Sequence, residues 1–139
     1  MTYIFNSNTH SDYTLDYMNS LGLDDEQKES VLAMKELTAL KLKDDAKLSR
    51  NDRINSDLVH KGVLFQVDSE GIANFNAAAS TAHLSDDETG SVNWISSDNS
   101  IHELNYDDIK QIILKYNARK QSIFEKYTLW RAGDMSEKF

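Results

Sequence analysis

VNWISSDNSIHELNYDDI, Val92 to Ile109, decides how this chain is read. A tryptophan, an Asp-Asn pair, a His-Glu pair and an Asp-Asp pair crowd together here, so the stretch is either a reactive site or a folding device. Val92, Trp94 and Ser96 alternate with Asn93 and Ile95, and Ile101 and Glu103 alternate with His102 and Leu104, the period-2 signature of two short strands. Between them SSDNS is turn-forming, with Asp98 and Asn99 suited to left-handed backbone. Asn105 then caps a helix whose first turn carries Asp107 and Asp108, where the helix dipole favours negative charge. A hairpin running into a helix uses every residue and leaves none over for chemistry.

Downstream, Ile109, Ile113, Tyr116, Ile123, Tyr127 and Trp130 recur at heptad-like steps, predicting a helix of about 25 residues that stops near Gly133. Ile112, Leu114 and Phe124 widen that stripe beyond what a small sheet covers. The surplus calls for the first helix of the same chain, or for a second copy; a two-fold contact is the commoner arrangement, so a homodimer is expected.

Upstream, VLFQVD alternates Val63, Phe65 and Val67 with Leu64, Gln66 and Asp68 and predicts a strand over 63–68. SEGIANFNAAASTAHL places Ile72, Phe75, Ala79 and Ala82 on one stripe, predicting a helix over 69–83 capped by Asp68 or Ser69. The acidic run SDDETGS is a loop. Further back, LGLDDEQKESVLAMKELTALKLKDDAKLSRNDRINSDL reads as one long helix. Asp24 and Gln27 stand in capping-box positions, and Val31, Met34, Leu37 and Leu40 form an apolar row that breaks at KLKDDAK, leaving an exposed or bending stretch at 43–47. Residues 1–22 read as an irregular lead with a short strand at Tyr3–Phe5.

The expected architecture is therefore α+β. A long N-terminal helix precedes a small three-stranded antiparallel sheet (63–68, 92–96, 101–104) that includes the hairpin, with two further helices packed on one face. Residues 1–45 form the lead and helical arm, and 46–139 the α+β domain.

Composition excludes several function classes. The 139 residues carry a net charge of −8, which argues against a phosphate-binding face and so against nucleic acid as a partner. No stretch approaches the roughly 20 apolar residues of a membrane span, and the first residues lack a basic, then apolar, leader, so neither membrane insertion nor secretion is expected. Cysteine is absent, removing disulfides, thiolate metal sites and thiol nucleophiles together. The acidic pairs Asp24/Asp25 and Asp107/Asp108 sit at helix starts, and Asp86, Asp87 and Glu88 lie in a loop without calcium-loop spacing. His102-Glu103 lacks the second histidine that a helical zinc site needs, since position 106 is Tyr106. His10, His60 and His83 have no partner at helical spacing and read as surface or satisfied polar residues. The glycines are too dispersed to cradle a phosphate. Arg50 and Arg53 read as stabilising the end of the first helix or pairing with Asp52 and Asp57. No catalytic, cofactor-binding or metal-binding residues and no cofactor are expected, and the chain reads as a non-enzyme. The candidate partner-binding residues are Met34, Leu37 and Leu40 on the first helix and Ile123, Tyr127 and Trp130 on the last.

In order, RNDRIN, VLFQVDSEGIANFNAA and VNWISSDNSIHELNYDDI, followed by a long amphipathic helix, resemble the domain of unknown function numbered 4376, found in tail-fibre and tail-assembly proteins of tailed bacteriophages and prophages. Arg50, Arg53 and Ile54, then Phe65 and Asp68, then Ala73 and Asn74, then Trp94, Asp98, Asn99 and Leu104 fall in matching order, over about residues 46–129, some 60% of the chain. The chain departs from the pattern at Gly71, where the family carries a polar residue, and in its aromatic tail beyond Tyr127. The resemblance transfers no catalytic residue. It implies a phage tail-fibre-associated protein, an assembly chaperone or adaptor that binds a fibre or tail subunit in the host bacterial cytoplasm. The alternatives are a structural tail component retained in the virion and an acidic inhibitor of a host defence protein; the acids map onto helix starts rather than one continuous face, which weighs against the inhibitor.

Overall fold

The computed structural model describes all residues from Met1 to Phe139. In chain order come β1 (Tyr3–Phe5), β2 (Asn8–His10), α1 (Leu15–Leu21), α2 (Asp25–Asn55), β3 (Leu58–His60), β4 (Val63–Phe65), α3 (Ser69–Leu84), β5 (Ser91–Ile95), β6 (Ile101–Asn105) and α4 (Tyr106–Ala132). They form two compact units, Met1–Lys47 with Trp130–Phe139, and Leu48–Leu129.

The class is α+β, but the expected three-stranded sheet is not there. Six short strands pair as three separate antiparallel hairpins, β1–β2, β3–β4 and β5–β6. The difference begins at residues 56–58, which continue the helical pattern in the sequence; the helix stops at Asn55, and Leu58–His60 is a strand that pairs with β4 in the register Leu58↔Phe65 to His60↔Val63. Once β3 has taken β4 as its partner, the third hairpin bonds to β4 through its turn, where the Ser97 N–H donates to the Leu64 carbonyl at 2.9 Å, and otherwise meets it through side chains such as His102, edge-on to Phe65 at 6.1 Å. The helices are accordingly not laid on one sheet face. The mid-section of α2 stays helical throughout, without a break at 43–47.

What ends α2 lies far away in sequence. The Arg119 guanidinium donates through Nη2 to the carbonyls of Ile54 (2.7 Å) and Ser56 (2.6 Å) and through Nη1 to that of Asp57 (3.3 Å). Carbonyls at a helix C-terminus lack intrahelical donors, and a cation there also meets the negative end of the dipole.

In the unit Leu48–Leu129, Phe65, Val67, Phe75 and Ile112 are fully buried, joined in one core by Ile54, Leu58, Leu104, Ile109, Tyr116 and Ile123. Phe75 stacks on Trp94 with ring centroids 4.2 Å apart and meets Phe65 edge-on at 6.1 Å. That is why tryptophan stands in the hairpin: it is core, not site. The β5–β6 turn closes through Asn99 N–H to the Ser96 carbonyl (3.0 Å) and Ser96 N–H to the Ser100 carbonyl (2.9 Å), with Asn99 at φ +65°. This is a type I turn followed by one left-handed residue. Asp98 serves differently, its carboxylate accepting from the Ser96 hydroxyl (2.5 Å) and the Ser100 N–H (3.0 Å).

In the unit of Met1–Lys47 and Trp130–Phe139, the lead is more ordered than its composition suggested. Asn6 and Ser7, at φ +50° and +63°, make the two-residue turn of β1–β2. Thr14 caps α1, and Gly22 at φ +87° ends it. Gly22 N–H donates to Asn19 and Leu23 N–H to Met18, a paired C-terminal closure that packs Leu23 near Met18 and Tyr3. Asp24 and Gln27 exchange the two bonds of the expected capping box at 2.7 and 2.9 Å.

Gly71, the departure from the family pattern, has a steric cause. A Cβ at this position would lie 2.3 Å from the Gln66 carbonyl oxygen, backbone that cannot swing aside. Gly71→Ala is expected to lower stability by about 1–3 kcal/mol, and Arg119→Ala, which strips the α2 end of its donors, by about 1–3 kcal/mol. Urea unfolding followed by circular dichroism measures both; unchanged midpoints would contradict these roles.

Candidate functional site

Two places concentrate groups that could act on something outside the chain. The first is polar and lies between the β3–β4 hairpin and the start of α4. Asp108, 6% exposed, accepts from His60 Nε2 at 2.9 Å, from Lys61 Nζ at 2.8 Å and, through its other oxygen, from the Asn105 N–H at 3.1 Å. His60 is itself buried, and its Nδ1 lies 3.1 Å from Lys115 Nζ. A small cleft beside it is lined by Val63, Phe65, His102, Glu103 and Leu104.

Local sequence explains how the pieces arrive. Asn105 and Asp108 exchange bonds across the first turn of α4, the Asp108 N–H donating to Asn105 Oδ1 at 2.8 Å. Lys61 and Gly62, at φ +50° and +78°, form the tight turn that delivers His60 and Lys61 to the carboxylate. The sequence pointed to Asp108 as a dipole partner and to His60 as a surface or satisfied polar residue; the structure buries it. The sequence held no sign that one satisfies the other across 48 residues.

The chemistry of the cluster follows from its protons. An ionised carboxylate only accepts and an ammonium only donates, so His60 carries its proton on Nε2 and accepts at Nδ1. Both ring nitrogens are then engaged, with no lone pair left to bind a metal or take a proton from a substrate. No group of three His, Asp or Glu side chains is arranged to hold a metal ion. The His60 imidazole, followed by the Lys61 ammonium, holds the Asp108 carboxyl well below the usual carboxylate range, and the same contact raises Lys61. The arrangement locks a hairpin to a helix.

The second place is apolar and lies within the other unit. Met1, Ile4, Tyr13, Val31, Met34 and Lys35 line most of a groove of about 450 Å³ between β1 and α2. Ile4 is 74% exposed and Met34 59%, while Lys35 sets its ammonium 4.7 Å from the centre of the Tyr13 ring. Nothing in the period of residues 1–22 announced this groove, because β1 reaches α2 only after the hairpin and α1 have turned the chain back.

The six candidate partner residues divide. Met34, Leu37 and Leu40 stand exposed on α2. Ile123 belongs to the core of Leu48–Leu129, and Tyr127 is buried with the Arg50 guanidinium 4.6 Å over its ring. The Trp130 indole N–H donates to the Glu137 carbonyl at 2.9 Å, and its ring meets Phe139 at 5.9 Å.

A depressed carboxyl pKa stabilises the fold above the unfolded value, about 4, and that stability drains away as pH falls through the folded value. Asp98, drawn down to about 2 chiefly by the Ser96 hydroxyl, acts in the same direction. Unfolding midpoints should therefore fall steeply below about pH 4. Asp108→Asn should start lower and fall less; an equally steep acid limb in this variant would show that Asp108 does not carry it.

No curated protein and no solved structure matches the chain. A family described as Domain of unknown function (DUF4376) matches residues 38–133, more than two thirds of the length. The match takes in both hairpins of the larger core, α3 and all of α4, and on that coverage the chain belongs to this family.

Proposed function

We propose that this protein is a non-enzymatic accessory of a bacteriophage tail, a chaperone or adaptor that holds a segment of a fibre or tail subunit in the host cytoplasm during assembly. The observation that carries the reading is the open apolar groove between β1 and α2, with Ile4 and Met34 largely exposed at its wall. Side chains of this kind left in water mark a surface used by another chain. The tie to phage tails rests on the resemblance in sequence, and family membership speaks to fold more strongly than to role. The His60–Asp108 cluster, with both imidazole nitrogens engaged, supplies no competing chemistry.

Co-expression of the full chain with the fibre and tail subunits encoded beside it tests the reading. The expected outcome is a subunit that becomes more soluble and co-purifies. Ile4→Asp combined with Met34→Asp should cut recovery of the subunit roughly tenfold, as loss of central apolar contacts does. Failure of every neighbouring subunit to co-purify would overturn the proposal. Mass spectrometry of purified particles then separates an assembly factor, absent from them, from a structural component present in fixed ratio.

A further inference from the structure

The outer face of α2 carries a second apolar pattern, which meets the groove at Ser30 and Met34 and runs on beyond it. Ser30, Met34, Leu37, Lys41, Asp44 and Leu48 follow one another at steps of four and three residues, the spacing of a helix-pairing seam. At 100° per residue, Leu37 lies on the opposite side of the helix from Ala46, which is 2% exposed, and about a third of a turn from Val31 in the groove. Leu37 and Leu48 are 59% and 63% exposed, and Lys41 and Asp44 are exposed between them. On a chain of net charge −8, two large leucines flanking an exposed Lys/Asp couple on a helix's solvent side call for an occupant.

The charges on that seam are complementary to themselves in one orientation. We infer that the outer face of α2 pairs antiparallel with the same face of a second copy of this chain. With the two-fold axis passing between residues 42 and 43, Lys41 of each copy meets Asp44 of the other, and Leu37 of each meets Leu48 of the other. The seam then closes with two ion pairs at the centre and a leucine pair on either side. Parallel pairing in register sets Lys41 against Lys41 and Asp44 against Asp44. Sliding the antiparallel pair by a heptad in either direction sets Leu37 against Lys41 or Leu48 against Asp44. Like charges face to face and leucines against unpaired charges both disfavour the alternatives. A second copy is thus the occupant that the sequence of this face fits, and the four positions that pair, Leu37, Lys41, Asp44 and Leu48, do not line the groove.

Sedimentation equilibrium on the full chain should show a reversible monomer–dimer equilibrium. Leu37→Asp, on an exposed side chain, should leave the helical circular dichroism unchanged and raise the dissociation constant about tenfold or more. Lys41→Asp and Asp44→Lys should each weaken the dimer, and the two together in one chain should restore it, because the pairs re-form with their signs exchanged. The absence of cysteine allows orientation to be read directly. A mixture of Leu37→Cys and Leu48→Cys chains should form a disulfide dimer under mild oxidation, whereas Leu37→Cys alone should not. In the proposed pair its two sulfurs lie eleven residues apart along the helix axis, about 16 Å, beyond disulfide reach. A monomer at every concentration, a dimer indifferent to Leu37→Asp, a double charge exchange no better than either single one, or ready cross-linking of Leu37→Cys alone would each overturn the inference.

Discussion

The Asp108 carboxylate is the constraint on which the order of Leu48–Leu129 turns. One oxygen closes the first turn of α4 onto Asn105; the other takes His60 and Lys61 from the end of the β3–β4 hairpin. A two-stranded hairpin of three residues a side has little stability of its own. Here one edge of it is bonded to a buried charge, and the charge is tolerable in the interior only because the hairpin supplies its donors. Arg119, three turns further along the same helix, does the matching work at the end of α2. One helix thus fixes the two elements between which β3 must run, and β3 in turn decides that β4 belongs to its own hairpin rather than to a larger sheet.

This explains which parts of the structure were legible in the sequence. Much of what is set by contacts within a few residues could be read: the Asp24/Gln27 box, Asp68 as cap of α3, the β5–β6 hairpin with Asn99 in its turn, and Asn105 at the start of α4. The end of α2 and the role of His60 depended on partners more than 40 residues away, and the β3–β4 pair across Lys61-Gly62, though local, was hidden behind the helical pattern that runs into it. INSDL continues a helical pattern perfectly well until Arg119 takes its carbonyls, and nothing near His60 announces Asp108. In the lead the strand Tyr3–Phe5 stands where it was expected, but its partner β2 was not legible, for another reason. Its turn uses Asn6-Ser7 with both residues left-handed and no glycine, so the punctuation that usually marks a tight hairpin is missing.

The residues that carry the family resemblance have largely structural duties. Ile54, Phe65 and Leu104 are core, Trp94 packs on Phe75, Asp68 caps a helix, and Asp98 and Asn99 hold a turn. Arg50 lays its guanidinium over the rings of Tyr127 and Phe124 instead of meeting an acid. A pattern composed of folding devices identifies a fold with some force and says little about a partner, because the residues free to meet one are those that the pattern leaves out. The groove between β1 and α2 lies mostly ahead of the stretch that the family matches, so sharing the family's core does not by itself fix the groove.

The charged pair at the middle of the α2 seam follows the same logic of specificity over strength. Replacing Lys41 and Asp44 by leucine would lengthen the apolar stripe to five consecutive seam positions from Met34 to Leu48, and such a stripe pairs in several registers and in both directions. It would also give the chain a long exposed apolar patch, which invites indiscriminate association. An exposed ion pair contributes little attraction, about 0–1 kcal/mol, so its use lies in what it forbids: each register that leaves Lys41 or Asp44 against a leucine forfeits the apolar contact and must also desolvate a charge. Two leucine pairs held in one orientation by two weak ion pairs would make a contact that is selective and readily reversed.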